Sequence, residues 1–397
     1  MENNGKKGGL PFVGPKALFD KSFVPQKVYG QKKITEDLAG YLHDFSEDNL
    51  SCVTTIAGTR GMGKKLLVRR TLNRLVMEKK IRSNFLLLEC ENKNTYSILV
   101  DITDFIARAH KKRIKDEAIF GLSVEQLWNL IKHLSKNLIE NLVIMLDSAE
   151  FVDKKQLMKL VRLSKNRSNL HLIVSFNVSG SNFKVIEMYE VDKRIGMPEY
   201  QNSDLYLITK DRAEMAIRGG LATPILAFVV DSVSEYGTHS PGTCIGFLKE
   251  LYPTIFETNE LRAEDARMHA RYYFGMKMMD SISIADILME STMLERLVLD
   301  NLVHYFKGND KFYIPFSGIA DAYRMGCESL ECKPIKSEFV SIVGKFTENY
   351  VILPSPILKT KANRINGLPI APYFLTMPAD ELSELLDACF DGFDDEV

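Results

Sequence analysis

Short apolar runs alternate with segments of helical periodicity along the first half of the chain. Runs rich in β-branched and other apolar residues have the length of buried strands, and they lie at 52–57, 85–90, 142–147 and 170–177. Between them, apolar residues recur at helical spacing, which predicts helices at 34–42, from Leu66 onward, at 97–109 and after the Gly-Leu-Ser sequence at 121–123. Strands that alternate with helices predict an α/β fold, with a parallel sheet and helices on both faces.

The second half of the chain has a different pattern. Helical periodicity dominates from about Asp204, and predicted helices cover 204–218, 223–236, 243–251 and 263–274. Three more helical segments follow from about Ile282 and lead into an extended stretch at 350–377, an order typical of a winged-helix module. We therefore predict a flexible leader (1–20), a base domain (21–200), a helical lid (201–280), a winged-helix domain (281–380) and an acidic tail (381–397).

Composition narrows the functional class without deciding it. The chain has 397 residues, enough for two or three domains, and its formal net charge of −1 gives no global sign of nucleic-acid binding. Six cysteines without paired spacing are typical of a reducing compartment, and Cys327 and Cys332 have no matching second pair for zinc. No apolar run approaches the roughly 20 residues of a membrane span, and the first residues lack a signal-peptide core. We expect no membrane partner.

A glycine-rich loop follows the first predicted strand and precedes a predicted helix. It matches the phosphate-binding pattern G-x-x-x-x-G-K-[ST] at every fixed position except the last, where Lys65 replaces Ser or Thr. In such loops backbone N–H groups cradle phosphates, the first lysine reaches the β/γ oxygens and the final hydroxyl binds Mg²⁺. The predicted nucleotide-binding residues are Gly58, Thr59, Arg60, Gly61, Met62, Gly63, Lys64, Lys65 and Leu66.

Lys65 removes an oxygen ligand and places a cation close to the position of the metal, so Mg²⁺ binding is in doubt. Two outcomes stay open for nucleotide binding. Lys65 replaces part of the charge of the metal and permits Mg²⁺-independent binding of ATP or ADP, or it forms a salt bridge with Asp147 and fills the site. Asp147 and Asn177 end their predicted strands, and ligands bind at the carboxyl ends of strands in such sheets.

Several segments resemble the archaeal Orc1/Cdc6 initiator family. These are the lead-in Ser-Phe-Val-Pro at 22–25, the stretch 29–34, Cys90 with Thr95-Tyr96, and the Gly-Leu-Ser-Val-Glu sequence at 121–125. The helical lid, the terminal winged helix and the total length also match, so the resemblance covers roughly 20–380. Eukaryotic Orc4-like subunits share this layout, and that branch stays open.

The resemblance implies an AAA+ P-loop ATPase that binds replication origins and helps to load the replicative helicase. Lys64 matches the P-loop lysine, Asp147 the Walker-B aspartate, which is also the candidate metal residue, and Asn177 the sensor-1 residue. The family's Walker-B glutamate is replaced by Ser148, and the nearest carboxylate, Glu150, lies about 10 Å along an extended chain. The family's sensor-2 arginine has no counterpart at 239–243, and Gln31 stands where the lead-in motif has an arginine.

Together these changes remove a metal ligand, a water activator and a γ-phosphate clamp. Because charge neutralisation and positioning supply nearly all of phosphoryl-transfer catalysis, the sequence predicts weak or no ATP hydrolysis. Asp147, Glu150 and Asn177 are the candidate catalytic residues.

The winged helix supplies the candidate DNA interface. The predicted recognition helix covers 335–348, and the wing turns at Asn366-Gly367. The candidate DNA-binding residues are Lys336, Ser337, Ser341, Lys345, Lys359, Lys361 and Arg364. Glu338 and Glu348 dilute the positive field of this helix, and a second basic cluster lies at 110–115.

We interpret the chain as an Orc1/Cdc6-like initiator or accessory origin-recognition protein with a degenerate nucleotide site. The expected partners are double-stranded DNA and an active initiator paralogue or the replicative helicase. The expected location is the nucleoid in the cytoplasm, or the nucleus if the source is eukaryotic. Two alternatives stay open: an active ATP-dependent initiator that uses Glu150, and a protein-interaction scaffold that binds neither nucleotide nor DNA.

Overall fold

A computed structural model describes residues 11–78, 83–110, 119–138, 140–167, 169–177, 190–258, 260–275, 281–358 and 364–394. The chain separates into two compact units. One is Val24–Glu199, and the other combines Met1–Phe23 with Tyr200–Val397.

The first unit contains a parallel sheet of five strands: β1 Val53–Gly58, β2 Ser83–Glu89, β3 Asn141–Asp147, β4 Leu170–Asn177 and β5 Lys193–Gly196. Their spatial order is β2-β3-β4-β1-β5, and every neighbouring pair is parallel. Gly58 at the end of β1 is in register with Asn177 at the end of β4, and Glu89 is in register with Asp147. The register therefore gathers these four residues, three of them predicted site residues, along one edge of the sheet.

Helices cover both faces of this sheet, as predicted. They are Lys32–Glu47, Lys64–Met77, Thr95–Ala109, Val124–Leu134 and Lys154–Lys165. Alternate residues of β3 separate two cores: Ile144 packs with Ile102 and Trp128, whereas Met145 packs with Leu67. Because strand side chains alternate between faces, a strand that is apolar throughout must be buried on both sides.

The helical lid belongs to the second unit. Its helices are Asn202–Ala216, Thr223–Tyr236, Pro241–Thr258 and Ala263–Phe274. Part of the expected flexible leader packs on them, because Lys16–Phe19 form a helical turn with Ala17 and Leu18 buried. The N–H groups of Val13 and Gly14 both donate to the carbonyl of Met215. The prediction of a flexible leader is therefore wrong for 13–19, and residues 1–10 lie outside the described part of the chain.

The rest of the second unit has the element order of a winged helix. The helices Ser281–Met289, Met293–Asn309, Phe316–Ser329 and Lys336–Glu348 come first. Strand β6 (Ile352–Pro354) then pairs antiparallel with β9 (Tyr373–Leu375), and Ile314 bridges to Tyr373. Between β6 and β9, β7 (Arg364–Ile365) and β8 (Leu368–Pro369) form a hairpin. Its two turn residues, Asn366 and Gly367, have φ values of 46° and 91°, as the predicted turn requires.

The expected acidic tail is wrong as a structural description. Ala379–Asp394 form a helix, and Leu382 and Leu386 are buried in the winged-helix core. Glu264 of the lid caps this helix by accepting the backbone N–H groups of Ala379 and Asp380 at 3.0 and 3.1 Å. Acidic composition concealed an apolar stripe with helical spacing.

Among the described residues, none of the helices combines the length and apolar character needed to cross a bilayer.

Candidate nucleotide-binding site

The glycine-rich loop joins β1 to the helix Lys64–Met77. Gly61 and Gly63 have φ values of 85° and 86°, a left-handed conformation that side-chain-bearing residues rarely adopt. A Cβ atom at Gly58 would lie 2.8 Å from the Cβ of Met197. The loop geometry therefore depends on glycine at these positions, as the phosphate-binding pattern predicts.

The Lys64 ammonium lies inside the loop with its three donors satisfied. It donates to the carbonyl oxygens of Gly58 and Thr59 at 2.8 and 2.9 Å and to Oδ1 of Asn177 at 2.8 Å. Burial lowers the pKa of Lys64, while the Asp147 and Glu150 carboxylates act in the opposite direction. Lys64 and Asn177, which the sequence analysis named separately, are thus joined by a direct hydrogen bond.

Lys65 forms an ion pair with Glu89 and not with Asp147, which was one of the two alternatives. Its Nζ lies 3.4 Å from Oε2 of Glu89 at the end of β2, and both side chains are partly exposed. The alternative in which Lys65 pairs with Asp147 is therefore wrong. Arg60 is held in a similar way by Glu91, at 3.1 Å. Arg60 and Lys65 are thus paired with carboxylates from the end of β2 and the segment that follows it, whereas Lys64 is not.

The Asp147 carboxylate faces β4. Its Oδ1 accepts a hydrogen bond from Ser175 Oγ at 2.5 Å, and the same hydroxyl accepts the backbone N–H of Ser148 at 3.3 Å. The usual magnesium set needs a loop hydroxyl beside this aspartate, and the ammonium of Lys65 occupies that sequence position. In the described part of the chain, acidic, histidine and cysteine side chains form no cluster suited to a metal. These residues do not fit the usual Mg²⁺ site.

The backbone after β3 turns back toward the site. Ser148 has left-handed φ and ψ angles of 59° and 51°, and a short 3₁₀ turn follows at Ala149–Phe151. Glu150 consequently accepts hydrogen bonds from Asn177, from Nδ2 at 2.6 Å and from the backbone N–H at 3.2 Å. Asn177 Nδ2 also donates to Ser148 Oγ at 3.0 Å. The distance argument against Glu150 assumed an extended chain, and the turn removes that assumption.

Gln31 supports the loop from the lead-in segment. Its side chain is buried, and Nε2 donates to the carbonyl of Met62 at 2.9 Å. The substitution of glutamine for the family's arginine therefore leaves a hydrogen bond to the loop. Sequence reasoning did not assign Gln31, Glu89, Glu91 or Ser175 to the site. Glu89 could have been found only from the β2–β3 register, which periodicity does not supply.

The other predicted loop residues differ in exposure. Thr59 and Arg60 are exposed, Met62 is buried, and Leu66 is half-buried at the start of the helix. The two neighbouring lysines differ in the same way, because Lys64 is buried and Lys65 is half-buried.

The candidate DNA-contacting residues do not form one group. Lys336, Ser337 and Ser341 are exposed on the recognition helix, and Arg364 is exposed on the hairpin. Lys345 is instead paired with Glu295 at 2.7 Å. Lys359, Lys361 and residues 111–115 of the second basic cluster lie outside the described residues.

Hydroxyl groups surround the start of the helix Pro241–Thr258. Thr243 Oγ1 lies 2.9 Å from the hydroxyl oxygens of both Thr238 and Ser240. No arginine occurs at 239–243, as the sequence indicated.

The sequence and the fold of this chain are similar to those of known proteins. Residues 51–178 match the family model described as an AAA domain. Cdc6p from Pyrobaculum aerophilum superposes with a TM-score of 0.70 at 18% identity, covering 95% of this chain and 98% of that one. The chain has the fold of this Cdc6 protein.

Two Aeropyrum pernix proteins superpose on this chain with a TM-score of 0.55 each. The ORC2 protein, solved as ADPNP–ADP complexes, is 16% identical and covers 96% of this chain and 99% of its own. The ORC1 protein, solved in complex with DNA, is 15% identical and covers 95% and 97%. A search of curated protein sequences gives no match.

Proposed function

We propose that this chain is an Orc1/Cdc6-like replication initiator or accessory origin-recognition protein that binds double-stranded DNA and nucleotide, with weak or no ATP hydrolysis. The observation that carries the proposal is that the P-loop keeps its phosphate-binding groups but lacks its metal-binding hydroxyl. Lys64, the left-handed glycines and Asn177 retain an anion site at a helix N-terminus, whereas Lys65 has replaced the metal-binding hydroxyl. The shared fold with an ORC2 protein solved with ADPNP and ADP supports nucleotide as the ligand.

The glycine-rich loop needs few changes to bind phosphate. Loop amides and the Lys64 ammonium supply the donors that a di- or triphosphate requires. Lys65 is paired with Glu89 at 3.4 Å, and both side chains are partly exposed, so the pair is of the weak, solvent-screened kind. A nucleotide phosphate could replace Glu89 as that partner, and the lysine would then carry part of the charge that Mg²⁺ supplies in an ordinary P-loop.

The site lacks groups that catalyse phosphoryl transfer in ordinary P-loop enzymes. Metal bridging and an arginine stabilise the charge of the transition state, and an arginine alone contributes about 10³–10⁵ in rate. Neither the usual loop hydroxyl nor an arginine at 239–243 is present. We therefore assign the chain a role in which a bound nucleotide stabilises a conformation, beside an active initiator paralogue or the replicative helicase.

The DNA-binding part of the proposal depends on the winged helix. Lys336, Ser337 and Ser341 give the recognition helix an exposed polar face, and Arg364 extends exposed charge to the hairpin. The ORC1 protein of the same fold was solved with DNA. A protein acting in this way would be found with the chromosome, in the nucleoid or in the nucleus.

The deciding experiment measures ATP and ADP affinity with and without Mg²⁺ for the wild type, Lys65→Thr and Lys64→Ala. We expect wild-type affinity to be the same in EDTA, and Lys65→Thr to bind well only with Mg²⁺. Lys64→Ala should weaken binding by at least about tenfold, the effect of losing a charged hydrogen bond. Lys132→Thr, an exposed change on the helix Val124–Leu134, serves as the control. Wild-type binding that requires Mg²⁺ would refute the proposed role of Lys65.

The active ATPase remains a second candidate, because Glu150 is hydrogen-bonded to Asn177 at the edge where hydrolytic water is activated in such sheets. Steady turnover by the wild type, abolished by both Lys64→Ala and Glu150→Gln, would establish it. Turnover at background level in all three proteins supports the non-hydrolysing role.

A further inference from the structure

A cleft in the second unit lies between the lid helix Thr223–Tyr236 and the strands of the winged helix. Its volume is about 370 Å³, within the range of small-molecule sites. Its lining combines acidic, hydroxyl and apolar side chains: Asp231, Ser234, Glu235, Thr347, Tyr350, Leu353, Pro354, Pro356 and Phe374. Of the described residues around the cleft, none of those that line it is basic.

Asp231 is the unusual group in this cleft. Asp231 is 1% exposed, and hydrogen bonds from the Ser355 and Tyr313 hydroxyls and the Ile357 backbone N–H partly offset the effect of burial on its pKa. Oδ2 accepts hydroxyl hydrogens from Tyr313 at 2.8 Å and Ser355 at 2.5 Å, whereas Oδ1 has no hydrogen-bond partner. A buried carboxylate oxygen without a partner is costly, so native proteins rarely retain one without a reason.

Glu235 lies one helical turn after Asp231 and also lines the cleft. Glu235 is exposed, so it can meet a ligand that enters from solvent. Burial raises the pKa of both carboxyl groups, to about 6 for Asp231, which means that each would gain from a cationic partner. His239 partly offsets this effect at Glu235.

The remaining walls indicate what kind of cation fits. Leu353 and Phe374 are buried apolar residues, and Tyr350 adds an aromatic ring that is 49% exposed. A bare metal ion would use neither the apolar walls nor a space of this volume. An alkyl chain would lie against these walls, and its ammonium group would meet the carboxylates and an aromatic face.

We propose that this cleft binds an alkylammonium ion, with the charged group between Asp231 and Glu235 and the carbon chain along Leu353 and Phe374. The site joins the lid to the winged helix within one compact unit, and it is separate from the glycine-rich loop. Bound there, an amine would supply the missing partner of Asp231 Oδ1.

The test uses the full-length protein without nucleotide or DNA. Butylamine and pentylamine are titrated by calorimetry into the wild type, Asp231→Asn, Glu235→Gln and the control Glu328→Gln, an exposed change on the helix Phe316–Ser329. We expect saturable binding to the wild type and the control, weakened at least about tenfold by each of the two cleft variants, as for loss of a charged hydrogen bond.

Three results would overturn the proposal. These are no saturable binding of either amine, equal binding by wild type and both cleft variants, or equally strong binding of Mg²⁺ alone with the same sensitivity to the variants. Glu235 is exposed, so Glu235→Gln should fold normally and would keep the test valid if Asp231→Asn did not.

Discussion

His171 lies within β4 with its side chain fully buried. Nδ1 is 3.3 Å from Cys52 Sγ, and Nε2 is 3.4 Å from both Ser46 Oγ and Asn141 Oδ1. Burial lowers the pKa of His171 to about 4, so the imidazole is neutral in the folded protein. His171 therefore makes the stability of the first unit depend on pH.

The sign of this dependence follows from proton binding. Between about pH 6.5 and 4 the unfolded chain protonates His171 and the folded protein does not, so stability falls as the pH is lowered through that window. The expected loss approaches about 3 kcal/mol at the acidic end.

Urea unfolding at several pH values would measure this loss. The wild type should lose stability across the window more steeply than His171→Leu, whereas His133→Leu, an exposed control, should follow the wild type. Equal slopes for the wild type and His171→Leu would contradict the assignment.

At the scale of elements, four of the five strands of the parallel sheet and the turn at Asn366-Gly367 were predictable, whereas β5 and the turn after β3 were not. Strands buried on both faces leave continuous apolar runs, so the positions of Asp147 and Asn177 followed directly. The return of Glu150 depends on a left-handed Ser148, a conformation for which the sequence gives no glycine signal. The Lys65–Glu89 pair depends on the order of strands, which periodicity does not encode.

The terminal helix Ala379–Asp394 was missed because its charge obscured its apolar positions. Leu386 is completely buried there. We expect Leu386→Ala to destabilise the second unit by about 2–5 kcal/mol, through lost burial and the cavity that remains. Thermal or urea unfolding would measure the change. Asp387→Ala, exposed on the same helix, should stay within about 0.5 kcal/mol of the wild type. Equal stability of both variants would mean that the helix does not pack as described.

At the scale of the whole molecule, the net charge of −1 means that any affinity for DNA must come from a local surface. Exposed Lys336 and Arg364 are candidates for phosphate contacts, whereas Lys345 is engaged with Glu295. This difference separates three residues that the sequence had grouped together.

We expect the double variant Lys336→Ala/Arg364→Ala to reduce the slope of log affinity against log salt by up to about 2, because each phosphate contact contributes about 0.9. Lys345→Ala should leave the slope unchanged and lower stability instead. Fluorescence anisotropy with a random-sequence duplex at several salt concentrations would measure both. An unchanged slope in the double variant would exclude this surface as the DNA interface.

The hydrogen bonds of Lys64 have a consequence for measured affinities. Its ammonium is already bound to two loop carbonyls and to Asn177, so a phosphate must displace at least one of these acceptors. The loop carbonyls and Asn177 therefore compete with phosphate for Lys64. The apparent dissociation constant for nucleotide equals the intrinsic constant divided by the fraction of molecules in which Lys64 is free. A weak measured affinity for nucleotide would then reflect the strength of the hydrogen bonds that Lys64 makes within the protein. The same hydrogen bonds would keep the loop folded when no nucleotide is bound.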